Sequence, residues 1–476
     1  MADLPLHDQT LTQLGAQIRA GAIRPVALTE HLLARIGQLD GKLGAFRLLL
    51  RDRALAQAKA AETALKAGVD LGPLHGLPYV AKDLFDVRGF PTTAGTRLLE
   101  DSIAKQDCAA VRKLDQAGMV LLGKTNTVQF AYGGVGVNSD HGTPHNPWHA
   151  TAHAPGGSSS GTAVAVAAGM TPFGLGTDTG GSVRIPAALC GVTGLKTTVG
   201  RISRAGVYPL SYSLDSVGPL ARCVEDAALI YQALLGEDEA DDTTRGIAPH
   251  DVLRDLKAGV KGLRLAFPET LFFDDVNPEV AKAVREAGRV LKELGASVES
   301  IPFPEAAEAA ALNPRGLVIA AEAYAVNQEF LEKHFDALDP FVRERMKNGK
   351  LVSGPEYFQK TRRWAELRRQ VTRVLTHVDA LLVPTTMHLP MPVAPLLADM
   401  DLYMTRNAQY LRNTAIGNIL ALCGLSVPCG FSKDGLPIGL MIYGKSFTEE
   451  TVLRVGYAYE QATPWHQRRP DLSWAR

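Results

Sequence analysis

The chain has 476 residues, 46% of them hydrophobic, with 50 basic and 50 acidic side chains and no formal net charge. That length can bury a large core; it suggests roughly three domains, although large α/β folds often run as one. Balanced charge gives no electrostatic case for nucleic acid or an anionic membrane, and no unbroken apolar run approaches the roughly 20 residues of a spanning helix.

The first residues, MADLPLHDQT, hold no basic stretch followed by an apolar one, so no secretory signal is read. Residues 8–40 suggest two amphipathic helices divided at Arg24-Pro25, with Leu28, Leu32, Ile36 and Leu39 on one face. An Ala-rich helix over 51–66 is closed by Gly68. Leu77 to Val80 reads as a short buried strand, 109–117 as a helix and 119–122 as an apolar strand. This alternation predicts a largely parallel or mixed sheet covered by helices.

Next comes HAPGGSSSGTAVAVAAGMTPFGLGTDTGGS, residues 153–182. Two glycine-serine knots flank a small-residue segment, 162–168, that suits a helix packed tightly on a sheet. Glycines let backbone N–H groups approach a ligand without a Cβ in the way. Consecutive N–H groups in such turns can hold a developing oxyanion, and a serine beside them is a candidate nucleophile. The stretch holds no G-x-S-x-G elbow and no obvious local histidine, so a base must come from elsewhere.

Beyond an acidic loop at 237–244, strand 263–267, helix 278–294 and strand 297–301 form a βαβ pattern. Residues 305–378 are mostly helical, and Ser353-Gly354-Pro355-Glu356 is a capping-box pattern opening a long helix. In that helix Trp364, Leu367, Val371, Val374 and Val378 share a face. Arg362, Arg363, Arg369 and Arg373 lie mostly off it and read as a solvated basic face. Residues 390–405 show little periodicity and are expected to form a mobile loop near the site. The five cysteines, Cys108, Cys190, Cys223, Cys423 and Cys429, form no C-x-x-C and sit mostly among apolar residues. They read as buried reduced thiols of a cytoplasmic protein.

Two motifs mislead. Residues 118–125, GMVLLGKT, match the phosphate-loop pattern G-x-x-x-x-G-K-[ST]. Here the four intervening residues are the expected strand, whose N–H groups belong to a sheet rather than to phosphate. His141, His145, His149 and His153 recur every four residues, but Gly142, Pro144, Pro147 and Pro155 break any helix that could align them.

GGSSSG and then GTDTGGSVRIPAALCGVTGLK, residues 176–196, resemble the signature region of the amidase signature family, GGSSGGS…GSDTGGSIRxPAxxCGxxGLKPT. Ser158 and Ser182 have the spacing of that family's two catalytic serines, and HGLPYVAKDLFDV resembles the segment carrying its catalytic lysine, at Lys82. GTPHNPW, GRISRAGVYPLSYSLDSVGPLAR, DALLVPTT and GLPIGLMIYG extend the resemblance over nearly the whole chain. The family also carries a segment similar to 118–125, which fits the strand reading.

The resemblance implies roles. Ser182 is the nucleophile, Ser158 a bridging serine with an unusual cis peptide bond, and Lys82 the base. The oxyanion hole falls on the backbone N–H groups of Thr179, Gly180, Gly181 and Ser182. Asp178 and Arg184 support the loop or form an ordinary ion pair, and Gly157 lies in the same surroundings. Tyr132 resembles an aromatic lining the acyl pocket in some members, and equally reads as a half-buried loop tyrosine. An ordinary lysine, with a pKa near ~10.4, is a poor base at neutral pH, and burial lowers that value. The apolar run 77–81 before Lys82 suits such burial. Three positions depart from the pattern: Ser160 for a glycine, Thr197 for a proline, and Gln129 where many members have an acid, bearing on the substrate side.

The expected fold is therefore α/β, a mixed central sheet flanked by helices, in one amidase-signature domain over 1–476. Within it, 1–70 is an N-terminal helical region, 71–235 and 411–476 the catalytic core, and 245–410 a βαβ unit plus a helical substrate-pocket region. The mouth of the pocket is shaped by the more helical part at about 305–410. The expected activity is hydrolysis of a C–N amide-type bond through an acyl-enzyme, on a small-molecule amide, without metal or organic cofactor, nucleic acid or membrane; a homodimer is allowed. Aromatic and apolar residues around the pocket tilt the substrate toward an aryl or apolar acyl amide. The alternatives are the A subunit of a tRNA-dependent amidotransferase, which needs glutamine and a second protein chain, and a hydrolase of allophanate, carboxybiuret or a carbamate. A non-catalytic binding protein on this fold is disfavoured by the presence of Lys82, Ser158 and Ser182.

Overall fold

The computed structural model describes residues 4–476. Its frame is one mixed sheet of eleven strands. In chain order these are β1 (Phe46–Leu49), β2 (Pro78–Lys82), β3 (Val120–Thr125), β4 (Phe173–Asp178), β5 (Thr193–Lys196), β6 (Ser216–Ala221), β7 (Arg264–Pro268), β8 (Ser297–Ile301), β9 (Ala380–Pro384), β10 (Cys423–Phe431) and β11 (Pro437–Gly444). Their order across the sheet is β1-β3-β2-β4-β6-β5-β10-β11-β9-β7-β8. The strands of the first 221 residues thus form one side of the sheet and β7, β8 and β9 the other. The late hairpin β10–β11 lies between them, pairing antiparallel with β5 and β9.

Alternation along the strands explains how both sheet faces are covered. In β11, Ile438, Leu440 and Ile442 join one apolar cluster and Met441 and Tyr443 another. β9 divides the same way, Ala380 and Leu382 against Leu381 and Val383. The first cluster receives Val280, Val284 and Leu291 of helix Pro278–Glu293 and Val452, Leu453 and Val455 of helix Glu449–Gln461. The second receives Trp364, Leu367 and Val371 of helix Gly354–Val374 and Ile416 and Ile419 of helix Met400–Ile419. Two-sided burial gives runs such as PIGLMIYG, apolar at nearly every position.

The N-terminal helices lie at Leu11–Arg19, Pro25–Leu43 and Arg51–Lys66, and β7–helix–β8 is a parallel βαβ unit. Ser353 caps helix Gly354–Val374 by accepting from the Glu356 N–H. The expectation of a loop over 390–405 is corrected. Val393–Ala398 is helical, and helix Met400–Ile419 begins inside that range, its first turn capped by the Asp399 carboxylate. The face this helix buries, Tyr403, Asn407, Tyr410, Thr414 and Asn418, is polar or aromatic, so it offers no aliphatic stripe to read.

Candidate active site

β2 and β4 are parallel neighbours, with Ala81 opposite Leu175, so Lys82 and Asp178 end their strands at one edge of the sheet. Ligand sites of α/β sheets gather at such carboxyl ends. Helix Ser160–Ala167 brings Ser158 to this edge, and helix Arg184–Cys190 follows Ser182. The Ser159 N–H donates to the Ser182 carbonyl at 3.1 Å, joining the two serine segments.

Lys82 is fully buried and its Nζ donates to Ser158 Oγ at 2.7 Å and to Thr177 Oγ1 at 2.8 Å. Burial lowers its pKa to about 7, against the upward pull of the Asp215 and Asp178 carboxylates. Lowered to this range, Lys82 has an uncharged form able to take a proton near neutral pH. Gly157–Ser158 is a cis peptide bond. A Cβ on Gly157 would lie 2.7 Å from the Gly133 carbonyl and 2.8 Å from the Gly136 nitrogen, so only glycine fits there. Ser158 is wholly buried, whereas Ser182 keeps 4% exposure.

Among the described residues, the backbone N–H groups of Thr179, Gly180, Gly181 and Ser182 meet no acceptor. Four consecutive buried donors without partners are unusual in a folded chain and form a ready cradle for an oxyanion. Gly181 has φ +138°, and a Cβ on it would lie 2.2 Å from Thr414 Oγ1. Behind this loop Asp178 accepts from Arg184 Nε at 3.0 Å, Arg184 Nη2 at 2.9 Å, Asn418 Nδ2 at 2.9 Å and the Val183 N–H at 3.1 Å. Burial alone would raise the Asp178 pKa; the Arg184 guanidinium overrides it and holds the carboxyl well below the ordinary range. Arg184 also reaches Tyr443 OH at 2.8 Å and Asn418 Oδ1 at 2.6 Å. Stranding either buried charge would cost about 3–5 kcal/mol, so the pair fixes the turn that carries Ser182.

The structure thus gathers Lys82, Ser158, Gly157, Asp178, Thr179, Gly180, Gly181, Ser182 and Arg184 along one edge. Tyr132 is placed differently from a half-buried loop residue: it is 3% exposed, stacked under the Arg345 guanidinium at 4.2 Å, with its hydroxyl unpartnered. Gln129 does not present a free amide toward substrate. It is buried, donates to Asp140 and accepts from the Asp339 N–H, tying the strand region to helix Pro340–Met346. Residues 120–125 are strand β3, and Lys124 is paired with Asp83 at 2.6 Å. Of the four spaced histidines, His145 Nε2 meets the His149 carbonyl, and the rings of His149 and His153 lie 4.1 Å apart. His250, Glu449 and Glu450 bring ligand atoms within 4.8 Å of one another, but both Glu449 oxygens are taken, by Arg201 and by the Thr198 N–H.

Sequence reasoning missed Thr177, Asp215 and Thr414. Thr177 and Asp215 each stand inside a quoted family block, GTDTGGS or SYSLDSVGP, and could have been singled out there. Thr414 lies 234 positions from Gly180 and has no sequence signal. Beside the cradle, a Cβ on Gly180 would meet Leu411 at 3.4 Å, Ile319 at 3.9 Å and Ala415 at 4.0 Å. These three nearest neighbours of Gly180 are apolar.

A family model described as Amidase matches residues 27–453. The A subunit of a glutamyl-tRNA(Gln) amidotransferase from Roseiflexus sp. (strain RS-1) is 40% identical over 492 residues, covering 98% of this chain and 99% of that one. An amidase from Pseudomonas putida is 39% identical over 469 residues, covering 97% of this chain and 98% of that one. The solved peptide amidase of Stenotrophomonas maltophilia superposes with a TM-score of 0.83 at 31% identity, covering 96% of this chain and 97% of that one. No helix among the described residues is long and apolar enough to cross a membrane.

Proposed function

The chain belongs to the Amidase family, of enzymes acting on C–N amide bonds, and from that premise we propose that it hydrolyses a small-molecule amide through an acyl-enzyme on Ser182. The observation carrying this reading is the Lys82–Ser158 hydrogen bond beside four unpartnered N–H groups that end at Ser182. In the proposed mechanism neutral Lys82 takes the Ser158 proton as Ser158 takes that of Ser182, whose oxygen attacks the amide carbon. The N–H groups of 179–182 hold the resulting oxyanion. The proton returns through Ser158 to the leaving nitrogen, and water repeats the sequence to release the acid. No metal or organic cofactor enters these steps.

The apolar wall of Ile319, Leu411 and Ala415 favours an uncharged, apolar acyl group. The relatives named as the A subunit of an amidotransferase favour a second reading, glutamine hydrolysis beside a partner chain. The five buried thiols, none in a disulfide, suit a reducing compartment such as the cytoplasm.

A fluorophosphonate should label one serine stoichiometrically, and peptide mapping should place the label on Ser182. Label on Ser158 alone, or undiminished labelling and turnover in Ser182→Ala, overturns the mechanism. Purified protein should cleave an apolar anilide or primary amide faster than a carbamate, a small urea or glutamine. Glutamine as the best substrate, with a co-purifying partner chain, selects the second reading.

A further inference from the structure

We propose that Thr414 is a positioning residue that sets the oxyanion cradle from the opposite side of the loop. The proposal rests on the reading above, that the N–H groups of 179–182 stabilise the oxyanion. In a planar trans peptide the carbonyl and the following N–H point in opposite directions, so whatever anchors one aims the other. Three anchors are present. Ser216 Oγ donates to the Asp178 carbonyl at 3.0 Å and so aims the Thr179 N–H. The Ile185 N–H donates to the Gly181 carbonyl at 2.7 Å and aims the Ser182 N–H. Thr414 Oγ1 donates to the Gly180 carbonyl at 2.6 Å and aims the Gly181 N–H.

The first two anchors come from β6 and from the turn itself. Thr414 comes from helix Met400–Ile419, the same helix that sets Leu411 and Ala415 beside Gly180. Its hydroxyl has one proton and a competing acceptor, the Leu411 carbonyl one turn back at 3.1 Å; the shorter contact takes it. The Thr414 carbonyl is held in turn by Arg184 Nη2 at 3.1 Å, so the residue is fixed at both ends. Gly181 carries the left-handed φ of +138° directly against the Thr414 side chain, and among the described residues no other hydrogen bond reaches the peptide between Gly180 and Gly181. Thr414 touches no reacting atom; it acts through the Gly181 N–H.

The test compares Thr414→Val, which keeps the shape and removes the proton, with Thr414→Ser, which keeps the hydroxyl. On the best amide found in the substrate panel, Thr414→Val should lower kcat about 10- to 100-fold with KM little changed, as befits a misaimed oxyanion donor. An aldehyde analogue of that substrate, which forms a tetrahedral adduct, should bind more weakly by the same factor, while the product acid binds as before. Thr414→Ser should stay near wild type. If Thr414→Val does not fold, Thr414→Ala carries the same expectation. A folded Thr414→Val with wild-type kcat, or a folded Thr414→Ser as slow as the valine variant, overturns the proposal. Equal losses in kcat and in product binding would assign Thr414 to packing and also overturn it. Ser182→Ala measured alongside separates the two failures: if it remains active the mechanism itself falls, and if it is dead only the role of Thr414 is at stake.

Discussion

In the proposed mechanism Lys82 serves two steps. Burial lowers its pKa to about 7, and that mechanism requires the uncharged form. The rate should therefore fall as pH drops below about 7, and that limb should vanish in Lys82→Ala. An amide nitrogen leaves badly unless protonated, whereas the phenolate of an activated ester leaves unaided. Lys82→Ala should thus slow amide cleavage more than ester cleavage, within the ~10²–10⁴-fold that acid–base assistance supplies. The measurement is kcat/KM across pH for a matched amide and ester; equal losses remove the acid role, and an unchanged limb means another base. At this scale the sequence was legible where residues fall in a dense local motif: Lys82, Ser158 and Ser182 stand in recognisable blocks. It was illegible where a partner arrives from far along the chain, as Thr414 does at Gly180. Gln129 misled because its amide is absorbed by Asp140 and Asp339, and Asp339 lies 210 positions away.

Among the elements, the turn from β4 into helix Arg184–Cys190 and the turn into helix Ser160–Ala167 must meet without slack. Gly157 is one of the tight points, with the Gly133 carbonyl, the Gly136 nitrogen and Val128 all within 3 Å of any added Cβ. Gly157→Ala should cost about 1–3 kcal/mol by overpacking. Because the displaced atoms carry Ser158 with them, kcat should fall by at least about 100-fold, the lower bound for losing acid–base assistance. Calorimetry with kinetics checks both, and a stable, active Gly157→Ala would show that backbone 133–136 yields easily. Elements with one clear period, such as helix Pro278–Glu293 and strands β7 and β8, were legible within a residue or two. Helix Met400–Ile419 was not, because the face it buries, Tyr403, Asn407, Tyr410, Thr414 and Asn418, is polar or aromatic rather than aliphatic. No hydrophobicity pattern separates such a helix from a loop.

In the whole molecule, two buried carboxyls fasten distant helices to the frame. Asp226 accepts from the Leu11 N–H at the start of helix Leu11–Arg19, and Glu460 from the Val224 N–H at the start of helix Val224–Leu234. Burial, with the charge of Asp226 nearby, raises the Glu460 pKa to about 8, against the pull of the Val224 N–H. A carboxyl raised in the folded state binds its proton more tightly there than in the unfolded chain, so its contribution to stability declines as pH climbs from the ordinary carboxylate range through about 8. Glu460→Gln keeps an acceptor for Val224 and cannot ionise. Its Tm should exceed that of the wild type near pH 9 and converge with it near pH 5, by calorimetry across pH; a constant gap would mean that Glu460 does not titrate in this range. The mixed, helix-covered sheet was legible from alternating elements, but the strand order was not, since pairing across hundreds of residues leaves no local trace. That order has a consequence for how the chain assembles on the ribosome. The hairpin β10–β11 emerges after every other strand, yet it lies inside the sheet, between β5 and β9. Until it arrives, the nascent chain holds two half-sheets whose inner borders, β5 and β9, are interior strands of the finished sheet still lacking a neighbour. Such open borders invite association with other chains. Translation speed and chaperone occupancy between the synthesis of β9 and that of β11 should therefore affect how much of this protein reaches its native state.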